Sequence, residues 1–224
     1  MSYCDDLTTI PALLSGMDGN GTEKWVNVPG GIKLGRIPFH SGFSGVPVPG
    51  PRAGDTGSVE HPGTEGFSLG ADIRIPENTD FSYYMITPEG ALPVREAVFL
   101  FHGLNEKSWD KYLPWAAELC RTTGKGIILF PIAFHMNRAP GNWTDRRSMM
   151  RLSSDRKERF PSITESSFIN AALSSRLHAE PGRFLVSGLQ TYCDIDSLAG
   201  RIRRGEAPMF SPSCRFDVFG YSVG

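Results

Sequence analysis

No apolar run in the 224-residue chain reaches the ~20 residues that a membrane span needs. Cysteines are few: Cys4, Cys120, Cys193 and Cys214 are widely scattered, and no C-x-x-C spacing offers a zinc or redox site. An excess of charge of either sign is also missing. The 23 Lys and Arg stand against 24 Asp and Glu, a formal net charge of −1, which gives neither the footprint of a nucleic-acid binder nor a polybasic membrane anchor. The start, Met1-Ser2-Tyr3-Cys4-Asp5-Asp6, is acidic where a secretory leader is basic, and no long apolar region follows. The expected compartment is therefore the cytoplasm. No metal and no organic cofactor is implied.

Glycine and proline are abundant and crowd the first third. Ile10-Pro11-Ala12-Leu13-Leu14 reads as a helical turn or short helix, and Gly42 to Gly70 is dense in residues that break helices and disfavour central strands. Residues 1–70 are read as an N-terminal arm lying over the body with short edge strands; a flexible linker is the alternative. Regular patterns follow in residues 71–224. Asp72-Ile73-Arg74-Ile75 alternates like a half-exposed strand, and Phe81–Ile86 is rich in β-formers. Ala97-Val98-Phe99-Leu100-Phe101 is continuously apolar, as strands buried on both faces are. Trp109, Tyr112, Leu113, Ala116, Leu119 and Cys120 recur at helical spacing, with Ser108 placed to cap them and Gly124 to stop them. Ile127–Phe130 is a second continuous strand. Strand, helix and strand in about forty residues make a βαβ unit and imply a mostly parallel sheet.

Residues 133–186 interrupt this rhythm and are read as a cap-like insertion. Its arginines (Arg138, Arg146, Arg147, Arg151, Arg156, Arg159) form a solvated face or greet an anionic substrate. Ser162-Ile163-Thr164-Glu165 has capping-box spacing before a helix through Phe168–Leu177. A further helix spans Tyr192–Arg204, and a loop through Pro208 and Pro212 delivers the last apolar strand, Phe216–Phe219.

That strand runs into Gly220-Tyr221-Ser222-Val223-Gly224, a G-x-S-x-G. Such a pentapeptide arises by chance in roughly one chain in ten of this size, so its context has to carry it. Here it follows an apolar strand, as a serine on a sharp strand-to-helix turn requires. The glycines Gly220 and Gly224 leave room where side chains would clash with neighbouring backbone. Upstream, His102-Gly103 ends another apolar strand, where an acyl-transfer site needs a loop amide.

Phe99-Leu100-Phe101-His102-Gly103-Leu104, the Trp109–Cys120 helix, the second apolar strand and Phe219–Gly224 together resemble the α/β-hydrolase superfamily over roughly residues 72–224. The resemblance implies a three-layer α/β/α sandwich with a mostly parallel sheet, C-terminally incomplete here. It implies Ser222 as nucleophile, the Leu104 and Val223 amides as oxyanion hole, and His102 and Gly103 as support for the oxyanion loop. The reaction would be hydrolysis of a small-molecule ester or related acyl bond; lipase, esterase, peptidase and thioesterase chemistries share this pattern. Triad partners in that fold follow the serine, acid then histidine, and the sequence stops before either. His40, His61, His135 and His178 remain, with His135 best placed because it follows a strand; Asp110 and Asp145 have no stronger claim to the acid role. The chain is thus expected to be the N-terminal part of a longer hydrolase, inactive or nearly so alone, its last strand left as an open edge. Two alternatives are a non-catalytic binding module on a hydrolase scaffold, and a doubly wound protein in which the motif is accidental.

Overall fold

The computed structural model describes residues 3–17, 21–43, 75–143, 145–163, 167–179 and 182–222. Its centre is a six-stranded sheet of order β1-β2-β3-β5-β4-β6. The strands are β1 (Lys24–Val28), β2 (Ile32–His40), β3 (Asp80–Pro88), β4 (Val94–Phe101), β5 (Gly126–Leu129) and β6 (Phe210–Gly220). The helices are α1 (Tyr3–Ser15), α2 (Pro76–Thr79), α3 (Leu113–Thr123), α4 (Arg146–Arg159), α5 (Phe168–Ala179) and α6 (Arg183–Arg203).

The expected mostly parallel hydrolase sandwich is not what forms. β1–β2, β2–β3 and β3–β5 pair antiparallel, and only β4–β5 and β4–β6 are parallel. The reason lies in the connections. Parallel neighbours need a crossover of a dozen or more residues, whereas a tight turn joins antiparallel ones. Pro29-Gly30-Gly31 is such a turn, with φ of 90° at Gly30 and 74° at Gly31, and it folds β1 onto β2. Pro38 lies beyond the end of β1, where β2 has an open side and a missing N–H is tolerated. The crossover through α3 makes β4 and β5 parallel neighbours. Segments of the expected N-terminal arm thus supply a helix and two strands. Its Gly/Pro-rich stretch and the Asp72–Arg74 part of the expected strand lie outside the described residues, as does most of the capping box, Thr164 and Glu165.

Side chains alternate between two cores, as the two-residue strand period demands. Tyr84 and Ile86 of β3 join Leu34, Leu100, Ile127 and Leu129 beneath α1 and α3. Phe81, Tyr83 and Met85 join Phe39, Phe99, Ile128 and Phe130 beneath Leu198 and Ile202 of α6. Asp6 of α1 is buried and accepts two hydrogen bonds from Arg121 of α3, at 2.6 and 3.0 Å, which fixes α1 on the sheet. Helix α3 starts at Leu113 rather than at Ser108, whose hydroxyl donates to Asp110 instead. Helix α6 starts nine residues earlier than its periodicity suggests. Strand β6 is an edge, paired with β4 alone, and Val218 is 70% exposed.

A fully buried polar cluster locks the segment after β5 onto α2 and α6. Arg138 donates to Asp194 at 2.7 Å, to the Asn78 side chain at 3.1 Å and to the Pro131 carbonyl at 3.1 Å, with its guanidinium 4.0 Å over the Phe81 ring. Ser41 donates to the other Asp194 oxygen at 2.6 Å. Burial lowers Arg138 to about 10, still cationic at neutral pH. Burial raises the Asp194 carboxyl, while the Arg138 cation and the Ser41 hydroxyl pull it back. Removing one member leaves an unpaired buried charge, so Arg138→Met or Asp194→Leu alone is expected to cost about 3–5 kcal/mol in urea unfolding. The double variant should cost clearly less than the sum; simple additivity would show that the pair is not coupled.

Candidate functional site

Strand β6 runs beside β4 up to the pair Phe101–Gly220, and one further bond, Tyr221 N–H to the Phe101 carbonyl at 3.1 Å, extends the ladder. The Tyr221 ring then packs edge-on against Trp115 (5.4 Å) and Tyr112 (6.0 Å), with Lys111 Nζ 5.0 Å from its centroid. Anchored in this way, the chain turns at Ser222, whose φ is +63°. Serine seldom adopts the left-handed region, and the cost is on the order of 1–3 kcal/mol.

Ser222 turns directly over Gly103. A Cβ on Gly103 would lie 3.4 Å from the Ser222 Cβ, an ordinary contact, and 3.2 Å from the Tyr221 ring, which would have to give by a few tenths of an ångström. The Gly103 N–H is already used: it donates to the Tyr112 hydroxyl at 2.8 Å, and that hydroxyl donates to Glu106 at 3.1 Å. Lys111 completes the group with an ion pair to Glu106. The next amide, Leu104 N–H, has no acceptor among the described residues. Leu104 itself is 42% exposed in the turn that follows β4.

His102 is fully buried. Its Nε2 accepts from Ile132 N–H at 3.0 Å, so its proton sits on Nδ1, which donates to the Gly103 carbonyl at 2.9 Å. The ring thus staples the end of β4 to the segment after β5. Burial lowers its pKa to about 4, the hydrogen bond to Gly103 opposing that shift. His135 sits 5.3 Å away, ring to ring, with its Nδ1 2.9 Å from the Ala133 carbonyl. The other sequence candidates are elsewhere. His40 pairs with Asp80 at 2.7 Å on the surface, and His178 lies on α5. Asp145 caps α4 through Ser148 N–H at 2.8 Å, and the Ser148 hydroxyl holds its carboxyl below the usual range. His61, Val223 and Gly224 lie outside the described residues. Gly220 closes β6 opposite Phe101.

Beside this turn lies a cavity of about 190 Å³ at the ends of β4 and β5. Leu104, Ile132, Phe134, Met136, Trp143 and Leu173 form much of its wall. The non-glycine residues with positive φ among the described residues are Asn105 (60°), Phe134 (67°), Met136 (51°) and Ser222. The first three all line the cavity. Strained backbone persists only where its surroundings over-determine it, and it gathers at functional sites. Phe134 is held by its N–H to Asn78 at 3.2 Å, and its neighbour Ala133 by its N–H to Thr191 at 3.0 Å. Nothing in the sequence marks Phe134 or Met136 for such a conformation; the buried cluster beneath them imposes it.

Among the described residues, no group of three His, Cys, Asp or Glu is arranged to hold a metal, and no helix is long and apolar enough to cross a membrane. His102 makes a pH prediction. Its pKa falls from 6.5 when exposed to about 4 in the fold, so the unfolded chain binds the extra proton first as the pH drops. Its contribution is full above about pH 6.5 and is lost as pH falls towards 4, on the order of 3 kcal/mol in all. The urea midpoint should decline across that window, and His102→Gln should flatten the decline; an equal decline in the variant would assign it to other groups.

A comparison with curated proteins returns no match. Residues 57–224 match the model of a family of unknown function, DUF6051. That match spans three quarters of the chain and includes every element from α2 to Ser222, so the protein belongs to the DUF6051 family.

Proposed function

We propose that the protein carries an acyl-transfer site in which Ser222 is the nucleophile and the Leu104 and Val223 amides receive the oxyanion, in the manner of a serine hydrolase. The single observation that carries this reading is the positive φ of Ser222 at the end of a parallel strand, pressed against Gly103. Strain of this kind lifts a serine side chain out of the strand, as a nucleophile needs. The Leu104 N–H beside it supports the reading, as does the resemblance of the His102-Gly103-Leu104 and G-x-S-x-G segments to hydrolases. The reading rests on the site and not on the sheet, which differs from the hydrolase sandwich. The substrate is a small-molecule ester or related acyl compound. The free thiols Cys120, Cys193 and Cys214 suit a reducing compartment, and a cytoplasmic location belongs to the same reading.

No imidazole among the described residues hydrogen-bonds Ser222: both His102 nitrogens are committed, and His135 Nδ1 faces Ala133. A serine without a base is a weak nucleophile. No base for Ser222 is found among the described residues, and a serine that lacks one acylates slowly. General base catalysis contributes about 10²–10⁴-fold, which sets the size of the deficit. A fluorophosphonate probe should label the purified chain at Ser222 at least about 100-fold more slowly than an ordinary esterase, and Ser222→Ala should abolish the labelling. Absence of any Ser222-dependent adduct after prolonged exposure would reject the nucleophile; labelling at esterase speed would reject the missing base.

A second reading, a non-catalytic interaction module, is favoured by one observation. The edge β6 offers exposed Val218 and Phe219 beside an unpaired strand backbone. If that edge pairs with another chain, Val218→Lys should return the protein to monomer on size exclusion. A wild type that is already monomeric at high concentration would reject self-pairing.

A further inference from the structure

The cavity that begins at Leu104 is lined largely by apolar side chains. Phe134, Met136 and Ile132 come from the segment after β5, and Trp143 from the short helical turn Gly141–Trp143. Leu173 and Leu177, one turn apart on α5, close the far wall, and both are only half-buried because they face the cavity rather than packed atoms. Charged side chains also line it: Glu106, Lys107 and Arg183. Glu106 holds Lys111 and the Tyr112 hydroxyl, and the Arg183 guanidinium lies 4.8 Å over the Trp143 ring. Against the apolar part of this wall an alkyl chain gains from leaving water.

We infer that this cavity receives the acyl part of the substrate as a linear alkyl chain of limited length, an inference that rests on the nucleophile reading of Ser222. The space is bounded, a cavity of about 190 Å³, so it admits a chain of limited length. The placement follows from Leu104, which is both a wall residue and the neighbour of the glycine over which Ser222 turns. A carbonyl carbon at Ser222 with its oxygen on the Leu104 amide has its chain directed along the wall that begins at Leu104. In the step itself, the Ser222 oxygen forms a bond to the carbonyl carbon while the alcohol oxygen of the ester leaves. The serine proton passes to the base and then to the departing alkoxide. Leu173 and Leu177 belong to the lining that the chain would meet.

Two measurements separate this inference from the reading beneath it. The first is calorimetric binding of straight-chain 1-alkanols, from ethanol to dodecanol, to the Ser222→Ala chain, which needs no chemistry. Affinity should rise about fourfold per methylene until the chain fills the cavity and then level off. Leu173→Trp should move the break to shorter chains, and Leu177→Ala should move it to longer ones; circular dichroism verifies that each variant folds. The second is the acylation rate of the wild-type chain by p-nitrophenyl esters of straight-chain acids, which should peak at the chain length where the affinity levels off. An affinity that is flat with length, or a break that neither variant moves, overturns the inference. Length-selective binding with no Ser222 acylation by any ester overturns the acyl assignment together with the nucleophile, and leaves an alkyl-binding cavity. Acylation of Ser222 that is indifferent to chain length overturns the inference and leaves the nucleophile standing.

Discussion

The hydrogen bond from Tyr221 N–H to the Phe101 carbonyl is the last rung of the β4–β6 ladder, and the site depends on it. It holds the chain in register one residue beyond the strand. The Tyr221 ring, seated on Trp115 and Tyr112, prevents the backbone from continuing straight. Ser222 is left to absorb the turn, and it does so at a φ that serine seldom takes. Gly103 matters for the same reason, since a side chain there would push against the Tyr221 ring. Tyr112 joins the two halves: its ring supports Tyr221 while its hydroxyl takes the Gly103 N–H, which leaves Leu104 as the next amide in the loop.

A second constraint comes from below. The segment from Pro131 to Arg138 must cross the end of the sheet without a strand partner for its backbone, and buried backbone groups need partners. Asn78, Thr191, His102 and Arg138 supply them, from α2, α6, the end of β4 and the segment itself. These bonds hold Phe134 in its left-handed conformation and point the segment's apolar side chains into the cavity. The Arg138–Asp194 pair is deeply buried and of little net value as an attraction, yet its loss would release the wall of the cavity. Stability and site geometry are therefore carried by the same side chains.

Much of the carboxy-terminal half was legible because its signals are local. The continuous apolar runs of β4 and β5, the helical spacing of Trp109 to Cys120 and the terminal pentapeptide each report their own surroundings. The antiparallel half was hidden. Lys24–Val28 and Ile32–His40 are broken by Gly35 and Pro38 and sit in a region dense with turn residues, so propensity argued against strands. The signal that would have found them is Pro29-Gly30-Gly31 between two runs of alternating character. Overlooking that hairpin produced the mostly parallel expectation. The cavity was not legible at all, because its walls come from residues between 104 and 188 that share no period. His102 joins the end of β4 to the segment after β5 through its two ring nitrogens.

The central claim is that tertiary contacts bend the chain at Ser222, next to Gly103. A crystal structure of the protein tests this most directly through the Ser222 torsion. The account requires φ near +63°, with Tyr221 N–H bonded to Phe101 and the serine hydroxyl open on the Leu104 side. An extended Ser222, with the end of β6 peeled away from Phe101, would contradict it.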